Sequence, residues 1–335
     1  MKTLLITGAT GFIGHHLIKQ AVADGYKVIA AVREQSDTTF LKELSVVPTV
    51  ILNLNKPEQL FRDISNIQNT YGKIDVLIHN AGITQTLINK EYYEVNVDLT
   101  RNLIDAIMGL ENKAPKFIYV SSIAAVGPGN SITYNQITED DMPHPVTHYG
   151  KSKLQAENFI TSTLGLNWII VRPTAVYGEH EKNFLNVIKS INNGLELYMG
   201  SKKQMLSFIH VSDLVSSILK LASGGISRQV FNLSDGNEYS ILEVNDIIKS
   251  VLKKKTLKVV LPVFMVKVIA GAVEIYGRVT NTSPILNNDK LHELIEANWL
   301  CDNSKIIKEI NYTPKVKFAE GITQTIDWYK NNGWI

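Results

Sequence analysis

Tyr149 and Lys153 stand four residues apart in Tyr149-Gly150-Lys151-Ser152-Lys153, a spacing that puts both side chains on one face of a helix. A phenol with an unperturbed pKa of about 10 is a poor acid or base near neutrality. A neighbouring ammonium favours the phenolate and brings the group toward the working range. Tyr-x-x-x-Lys alone is a common accident, and a solvated helix face is its ordinary explanation. Two further features lift it above accident here. Ser121-Ser122 close a strand pattern upstream, and a hydroxyl at a strand's carboxyl end can hydrogen-bond a carbonyl or alcohol beside the tyrosine. The other feature is a glycine-rich turn near the start of the chain.

That turn is Gly8-Ala9-Thr10-Gly11-Phe12-Ile13-Gly14, directly after the apolar run 3–7. Three glycines at this spacing allow a tight turn, let backbone approach a pyrophosphate and let helix pack close on strand. The N-terminus of the following helix offers unpaired N–H groups and the positive end of its dipole to phosphates. A dinucleotide hydride carrier would therefore share a cleft with Ser122, Tyr149 and Lys153. In that reading the serine polarises, the tyrosine moves a proton, and the lysine tunes the tyrosine and holds a ribose, while the cofactor carries the hydride.

The elements that must position these groups alternate. Strand patterns fall at 3–7, 27–32, 49–52, 76–79, 117–121 and 168–172, with helix patterns at 12–24, 57–66, 94–110 and 151–164 between them. Such alternation implies an α/β Rossmann-type doubly wound parallel sheet covered on both faces. After Arg172-Pro173 the pattern changes. A loop and amphipathic helix at 177–200 precede a strand at 205–211, a helix capped by Ser212 and a last strand at 230–233. From Ile241 helices dominate, punctuated by Pro262, Pro284 and Pro314. The expected division is a nucleotide-binding domain at 1–175 plus about 205–235, with a smaller, interleaved substrate lobe at about 176–204 and 236–335. The ligand cleft should lie at the carboxyl ends of the strands.

Bulk composition narrows the class. The chain has 335 residues, 44% hydrophobic and 20% charged, with a net charge of +2, which is ordinary for a globular protein and argues against nucleic acid as a partner. The longest basic run is Lys253-Lys254-Lys255, read as a solvated helix end. A single cysteine, Cys301, excludes a disulfide framework and a cysteine metal site within the chain, so no metal is expected and a reducing, cytoplasmic compartment fits. No signal peptide is expected either. The longest apolar stretch, 259–276, contains Pro262, Lys267 and Glu274. It is a poor membrane span and reads as a helix packed in the second lobe, with a lipophilic pocket lining as the lesser alternative.

The assembled motifs resemble an extended short-chain dehydrogenase/reductase of the NAD-dependent epimerase/dehydratase family. The matching pieces are the glycine turn, His79-Asn80-Ala81-Gly82, Val95-Asn96-Val97, Ser121-Ser122, Tyr149-x-x-x-Lys153, Arg172-Pro173-Thr174-Ala175-Val176-Tyr177-Gly178 and Phe208-Ile209-His210-Val211-Ser212-Asp213. The resemblance implies catalysis by Ser122, Tyr149 and Lys153. It also implies cofactor contacts along Asn80, Ala81 and Gly82, at Asn53, Leu54 and Ser121, and along Pro173, Thr174 and Val176. Asn96 would order polar groups under the site, although a satisfied buried amide explains it equally well. His79 and His210 read as structural, and His15 and His16 as lying on or near the first helix's surface. A homodimer through helices that include 94–110 and 151–164 is also implied.

Three departures bear on cofactor and substrate. An acid after the second strand reads the 2′-hydroxyl of NAD, while an arginine accommodates the 2′-phosphate of NADP. Here Val32 is followed by Arg33, with Ser36 nearby and Glu34 as counter-evidence, so NADP is favoured and NAD is the alternative. In nucleotide-sugar members of the family, an arginine before the Phe-Ile-His-Val stretch pairs with the diphosphate. This chain has Leu206 there, with only Lys202 and Lys203 near in sequence. Ala125-Val126-Gly127 likewise replaces the family's frequent Val-Tyr-Gly. The expectation is therefore an NAD(P)-dependent oxidoreductase acting on a ketone or secondary alcohol of a small or lipophilic substrate. The alternatives are a nucleotide-sugar 4-epimerase with retained NAD and, less well supported, a cofactor-sensing binding protein.

Overall fold

Successive residues of a strand point to opposite faces of its sheet, and the first strand shows both faces buried. Leu4 and Ile6 join Leu17 and Ile18 of the first helix in one core, while Leu5 joins Leu103 and Ile104 in another. A strand that is apolar throughout belongs in a parallel sheet with helices on both sides. The computed structural model describes residues 1–44, 47–110, 114–200, 203–280 and 287–335, and it contains that sheet. Its strands are β1 Thr3–Thr7, β2 Lys27–Val32, β3 Thr49–Ile51, β4 Val76–His79, β5 Lys116–Val120, β6 Trp168–Pro173 and β7 Gln229–Leu233. They lie in the order β7-β6-β5-β4-β1-β2-β3, all parallel. The order reverses between β1 and β4, and the crevice for a ligand opens at that switch point.

Each sheet strand lies within about one residue of its sequence expectation. The helices differ more. The helix expected at 57–66 runs from Pro57 to Tyr71. The one expected at 94–110 is a composite of Asn89–Tyr93, a π-helical turn Glu94–Asp98, and Leu99–Met108. The Tyr149 helix spans His148–Ser162.

The strand expected at 205–211 is two strands serving different sheets. Met205–Leu206 pairs with Tyr239–Ser240 and Asn298–Trp299, whereas Phe208–His210 pairs with Ala175–Tyr177. The helix after it begins at Val211 and is capped by the His210 ring, which accepts from Ser212 N, so Ser212 is not the cap. Asp213 is instead buried and accepts from Lys315 N and Val316 N. A ribbon of Leu195–Met199 and Leu257–Leu261 was not foreseen. After it comes the helix Val263–Thr280, which is exposed on one side rather than packed all round. Pro284 and Lys202 lie outside the described residues. Among the described residues no helix is long and apolar enough to cross a membrane.

One buried ion pair ties the Tyr149 helix to β6. Arg172 donates through Nε to both oxygens of Glu157, at 3.1 Å each, and through Nη2 to Oε2 at 2.6 Å. Ser121 donates to the same carboxylate at 2.5 Å. Glu157 is 2% exposed and Arg172 6%. Removing one partner of such a pair strands a buried charge and costs about 3–5 kcal/mol. The spacing Tyr149, Lys153, Glu157 is its sequence signal, since all three share one helix face.

Candidate active site

The glycine turn has the shape that a dinucleotide needs. Gly8 has φ +66°, and a Cβ there would lie 2.7 Å from Ala81 N. A Cβ on Gly14 would lie 2.1 Å from the Gly8 carbonyl oxygen, so only glycine lets the first helix, Phe12–Ala23, start this close to β1. Gly11 caps that helix with no side-chain hydrogen bond, which leaves the first-turn N–H groups of Phe12 and Ile13 beside Thr10 open to phosphate oxygens. Asn80 Nδ2 donates to Gly8 O at 3.3 Å, and Ala81 N donates to Thr7 Oγ1 at 3.3 Å. The end of β4 is thereby clamped to the turn after β1.

His79 organises this junction from beneath. Its Nδ1 lies 2.7 Å from Thr7 Oγ1 and its Nε2 lies 3.0 Å from Thr100 Oγ1. Thr100 donates its own hydrogen to Asn96 O at 2.8 Å. It therefore accepts from His79, which fixes the Nε2–H tautomer and makes Nδ1 an acceptor for Thr7. Burial, aided by the Lys153 charge, pushes the His79 pKa down to about 3. His79 is a core histidine, as its sequence context suggests.

Ser122 stands in extended backbone just past β5 and caps a short turn, Ile123–Ala125, by accepting from Ala124 N at 3.2 Å. The Tyr149 helix packs against that turn. A Cβ on Gly150 would lie 2.3 Å from Ala124 O, so the absent side chain is what lets Tyr149 reach Ser122. Two caps hold the helix start. Thr147 Oγ1 accepts from Gly150 N at 3.0 Å, and Asp289 accepts from His148 N at 2.7 Å and Tyr149 N at 3.4 Å. A carboxylate there also complements the helix dipole. Asp289 belongs to a distant helix, Asn288–Leu294.

Burial drives the Tyr149 pKa upward. The Ser122 hydroxyl opposes the rise by hydrogen bonding, and Glu293 and Tyr92 add to it. Lys153 follows one turn later on the same helix face. Its ammonium donates to Val120 O at 2.9 Å and lies 4.7 Å from the Tyr119 ring centroid. Burial lowers the Lys153 pKa to about 8, with the Glu157 carboxylate opposing. A Cβ on Gly82 would sit 3.3 Å from that ammonium and 2.9 Å from Asn96 Oδ1, so the missing side chain keeps the lysine's path clear.

Asn96 sits in the π-helical turn, a feature often found where a helix is widened for function. Its Oδ1 accepts from Ile83 N at 2.9 Å, and its Nδ2 donates to Ile83 O at 3.1 Å and Ser152 Oγ at 2.9 Å. Ser152 in turn donates to Tyr149 O at 2.8 Å. Both readings of Asn96 meet here: it is a satisfied buried amide, and it orders the loop after β4 against the Tyr149 helix.

Other candidates fall along the crevice with less of their side chains available. The Ser121 hydroxyl is taken by Glu157. Thr174 donates through N and Oγ1 to Leu233 O, and Ala175 and Val176 lie in the strand paired with Phe208–His210. Asn53 Oδ1 accepts from Asn55 N, and Leu54 O accepts from Asn102. Arg33 is exposed at the end of β2, and its backbone N–H donates to Ser36 Oγ at 3.1 Å.

His15 and His16 are half-buried rather than superficial. His15 packs 4.2 Å from the Phe40 ring and 4.5 Å from the His180 ring. Burial, with the neighbouring His180 and His16, pushes the His15 pKa down to about 4. Among the positioning groups, Glu157 repeats the Tyr149–Lys153 interval, whereas Thr147, Gly150, Arg172 and Asp289 do not.

Residues 4–234 match the NAD dependent epimerase/dehydratase family. The chain belongs to this family. It is therefore a nicotinamide-dinucleotide-dependent enzyme. Among similar proteins, a ceramide reductase of Caulobacter vibrioides is 26% identical, over 98% of this chain and 95% of the relative. A UDP-glucose 4-epimerase of Vibrio cholerae is 27% identical, over 97% and 94%. Among solved structures, dTDP-glucose 4,6-dehydratase of Bacillus anthracis in complex with NAD superposes with a TM-score of 0.77 at 20% identity, covering 100% of this chain and 98% of that one. The family accommodates reductases, epimerases and dehydratases, so the residues around Tyr149 must discriminate among them.

The His79 environment makes a pH prediction. Its folded pKa of about 3 lies below the unfolded value of 6.5. The unfolded state therefore binds more protons between those limits, and stability falls as pH falls through that window. Urea unfolding of the wild type and His79→Asn at pH 7 and pH 5 should show the wild type losing up to about 1.4 kcal/mol more per pH unit below 6.5. Parallel losses in both proteins would refute the buried neutral imidazole.

Proposed function

We propose that the chain is an NADP(H)-dependent reductase or dehydrogenase that transfers hydride to or from a ketone or secondary alcohol of a small or lipophilic substrate. The observation that carries this reading is the surroundings of Leu206. Its side chain packs against the apolar cluster of Ile123, Val126, Ile137, Trp299 and Cys301, and Ile123 directly follows Ser122 in the chain. A leucine set in an apolar wall cannot neutralise a diphosphate. The Lys203 ammonium lies 5.7 Å from the Tyr134 ring centroid. The similarity to a ceramide reductase supports the same direction, because a ceramide is a lipid.

The glycine cradle and open helix start fit a dinucleotide, which when bound supplies or accepts the hydride. The chain's own groups manage the oxygen. Ser122 donates a hydrogen bond to the substrate carbonyl, and Tyr149 donates its proton to the same oxygen as charge develops there. Burial keeps Tyr149 protonated until then, which suits a proton donor. Lys153, fixed by Val120 O and flanked by Gly82, supplies positive charge beneath the ribose position. Arg33 and Ser36 would hold a 2′-phosphate. In this reading residues 1–175 and about 205–235 bind cofactor, and about 176–204 and 236–335 bind substrate. The similarity to a UDP-glucose 4-epimerase supports a second reading, a nucleotide-sugar 4-epimerase that keeps NAD bound.

Tyr149→Phe should lower turnover by at least about 100-fold, the usual contribution of a positioned acid, while NADPH affinity measured by fluorescence titration stays nearly constant. Unchanged turnover would dismiss the mechanism. Arg33→Ala should weaken NADPH by about tenfold or more, on the scale of a charge-assisted hydrogen bond, and leave NADH almost unaffected. Equal losses for the two cofactors would reduce Arg33 to a solvated charge.

A further inference from the structure

The helix Val263–Thr280 carries 18 residues, of which only Lys267, Glu274 and Arg278 are charged. One stripe of it is explained by packing. Val266 and Ala270 form a small core with Leu291, supported by Met199, Leu261 and Ile295. The opposite side is apolar and uncovered. Phe264, Val268 and Ile275, which share one face, are 67%, 68% and 66% exposed, and Met265 and Ile269 beside them are also exposed. A helix apolar all round is normally buried all round, and this one is not.

The uncovered surface continues onto the neighbouring ribbon. Leu257 pairs with Leu195, Val259 with Leu197, and Leu261 with Met199, so these six residues share one ribbon face. Its Met199 and Leu261 end packs against the helix, whereas Leu195, Leu197 and Leu257 are exposed. Exposed patches of this kind mark interaction sites. The charge around it is one-sided. Lys253, Lys254, Lys255 and Lys267 are exposed, Lys258 lies on the ribbon's other face, and Glu274 is the one acid between residues 253 and 280.

We infer that this face docks on an anionic lipid bilayer, lying in its interface rather than crossing it. Apolar side chains would enter the acyl boundary while the lysines meet the headgroups. The position suits delivery. The helix Asn288–Leu294, packed on this one through Leu291, sends Asp289 onto the first turn of the Tyr149 helix. A cavity of about 280 Å³ opens between Glu274, Asp289 and His292 on one side and Val146 and His148 on the other. The cavity borders the first turn of the Tyr149 helix through His148 and Lys151, and its lining, polar apart from Leu87 and Val146, suits a lipid headgroup rather than an acyl chain. Only that delivery role rests on the lipophilic-substrate reading, since the docking itself follows from the surface.

The test is flotation of the full chain with phosphatidylcholine vesicles containing about one third phosphatidylglycerol. The wild type should float with these vesicles. Phe264→Asp combined with Val268→Asp should lower the bound fraction by at least about tenfold. Lys253→Glu, Lys254→Glu and Lys255→Glu together should abolish the preference for anionic over neutral vesicles. Circular dichroism and NADPH binding verify that both variants are folded. A wild type that stays with the aqueous fraction overturns the inference. So does a dimer that Phe264→Asp/Val268→Asp splits without any vesicle binding, because a second copy would then be the occupant. Flotation without turnover of any ketone would remove the reductase reading and leave docking intact. Turnover without flotation would do the reverse.

Discussion

The geometry of the site depends on one close approach, that of the Tyr149 helix to the turn after β5. Gly150 makes it possible, because a Cβ at that position would stand 2.3 Å from Ala124 O. The approach places Tyr149 beside Ser122 and, one turn later, carries Lys153 under the ends of β4 and β5. Thr147 and Asp289 fix where the helix begins, Asn96 and Ser152 brace its first turns, and Glu157 with Arg172 anchors its far side. Each of these contacts presupposes the same helix position. The arrangement is cooperative in that sense, and a shift of the helix would disturb several buried polar groups at once.

Electrostatics follow from that packing. Burial moves the two catalytic candidates in opposite directions, Tyr149 away from ionising and Lys153 down to about 8. Both shifts favour neutral forms, which is what desolvation does to any ionisable group. Glu157 pulls the lysine back toward its charged form, so the buried ion pair acts on the site electrically as well as mechanically. His79 stays neutral in the same region and serves as a hydrogen-bond bridge among Thr7, Thr100 and the Asn96 turn.

Much of this was legible in the sequence, and the exceptions have physical causes. The glycine turn, the parallel strands and the Tyr149–Lys153 pair depend on local pattern, and each appears where the pattern puts it. Glu157 was within reach of the same spacing argument, because it repeats the Tyr149–Lys153 interval. Asp289 was not, since it arrives from a helix 140 residues away and no local signal links the two. Spacing reports that Tyr149 and Lys153 share a face but not how deeply each is buried, and burial is the largest influence on both. The short strands at 195–199 and 205–206 pair with distant segments whose partners the sequence does not name. The stretch at 259–276 shows plainly as apolar, yet periodicity alone could not reveal that half of its helix would remain uncovered.

Net reduction of a ketone is the activity proposed for the apolar wall at Leu206 and the Ser122–Tyr149–Lys153 arrangement. The most direct test is to denature freshly purified protein, identify any released cofactor by mass spectrometry, and follow NADPH absorbance when long-chain ketones are supplied. A reductase should retain little NAD and consume NADPH well in excess of the enzyme. Stoichiometric retained NAD, with nucleotide sugars interconverted and no net NADPH consumed, would contradict it.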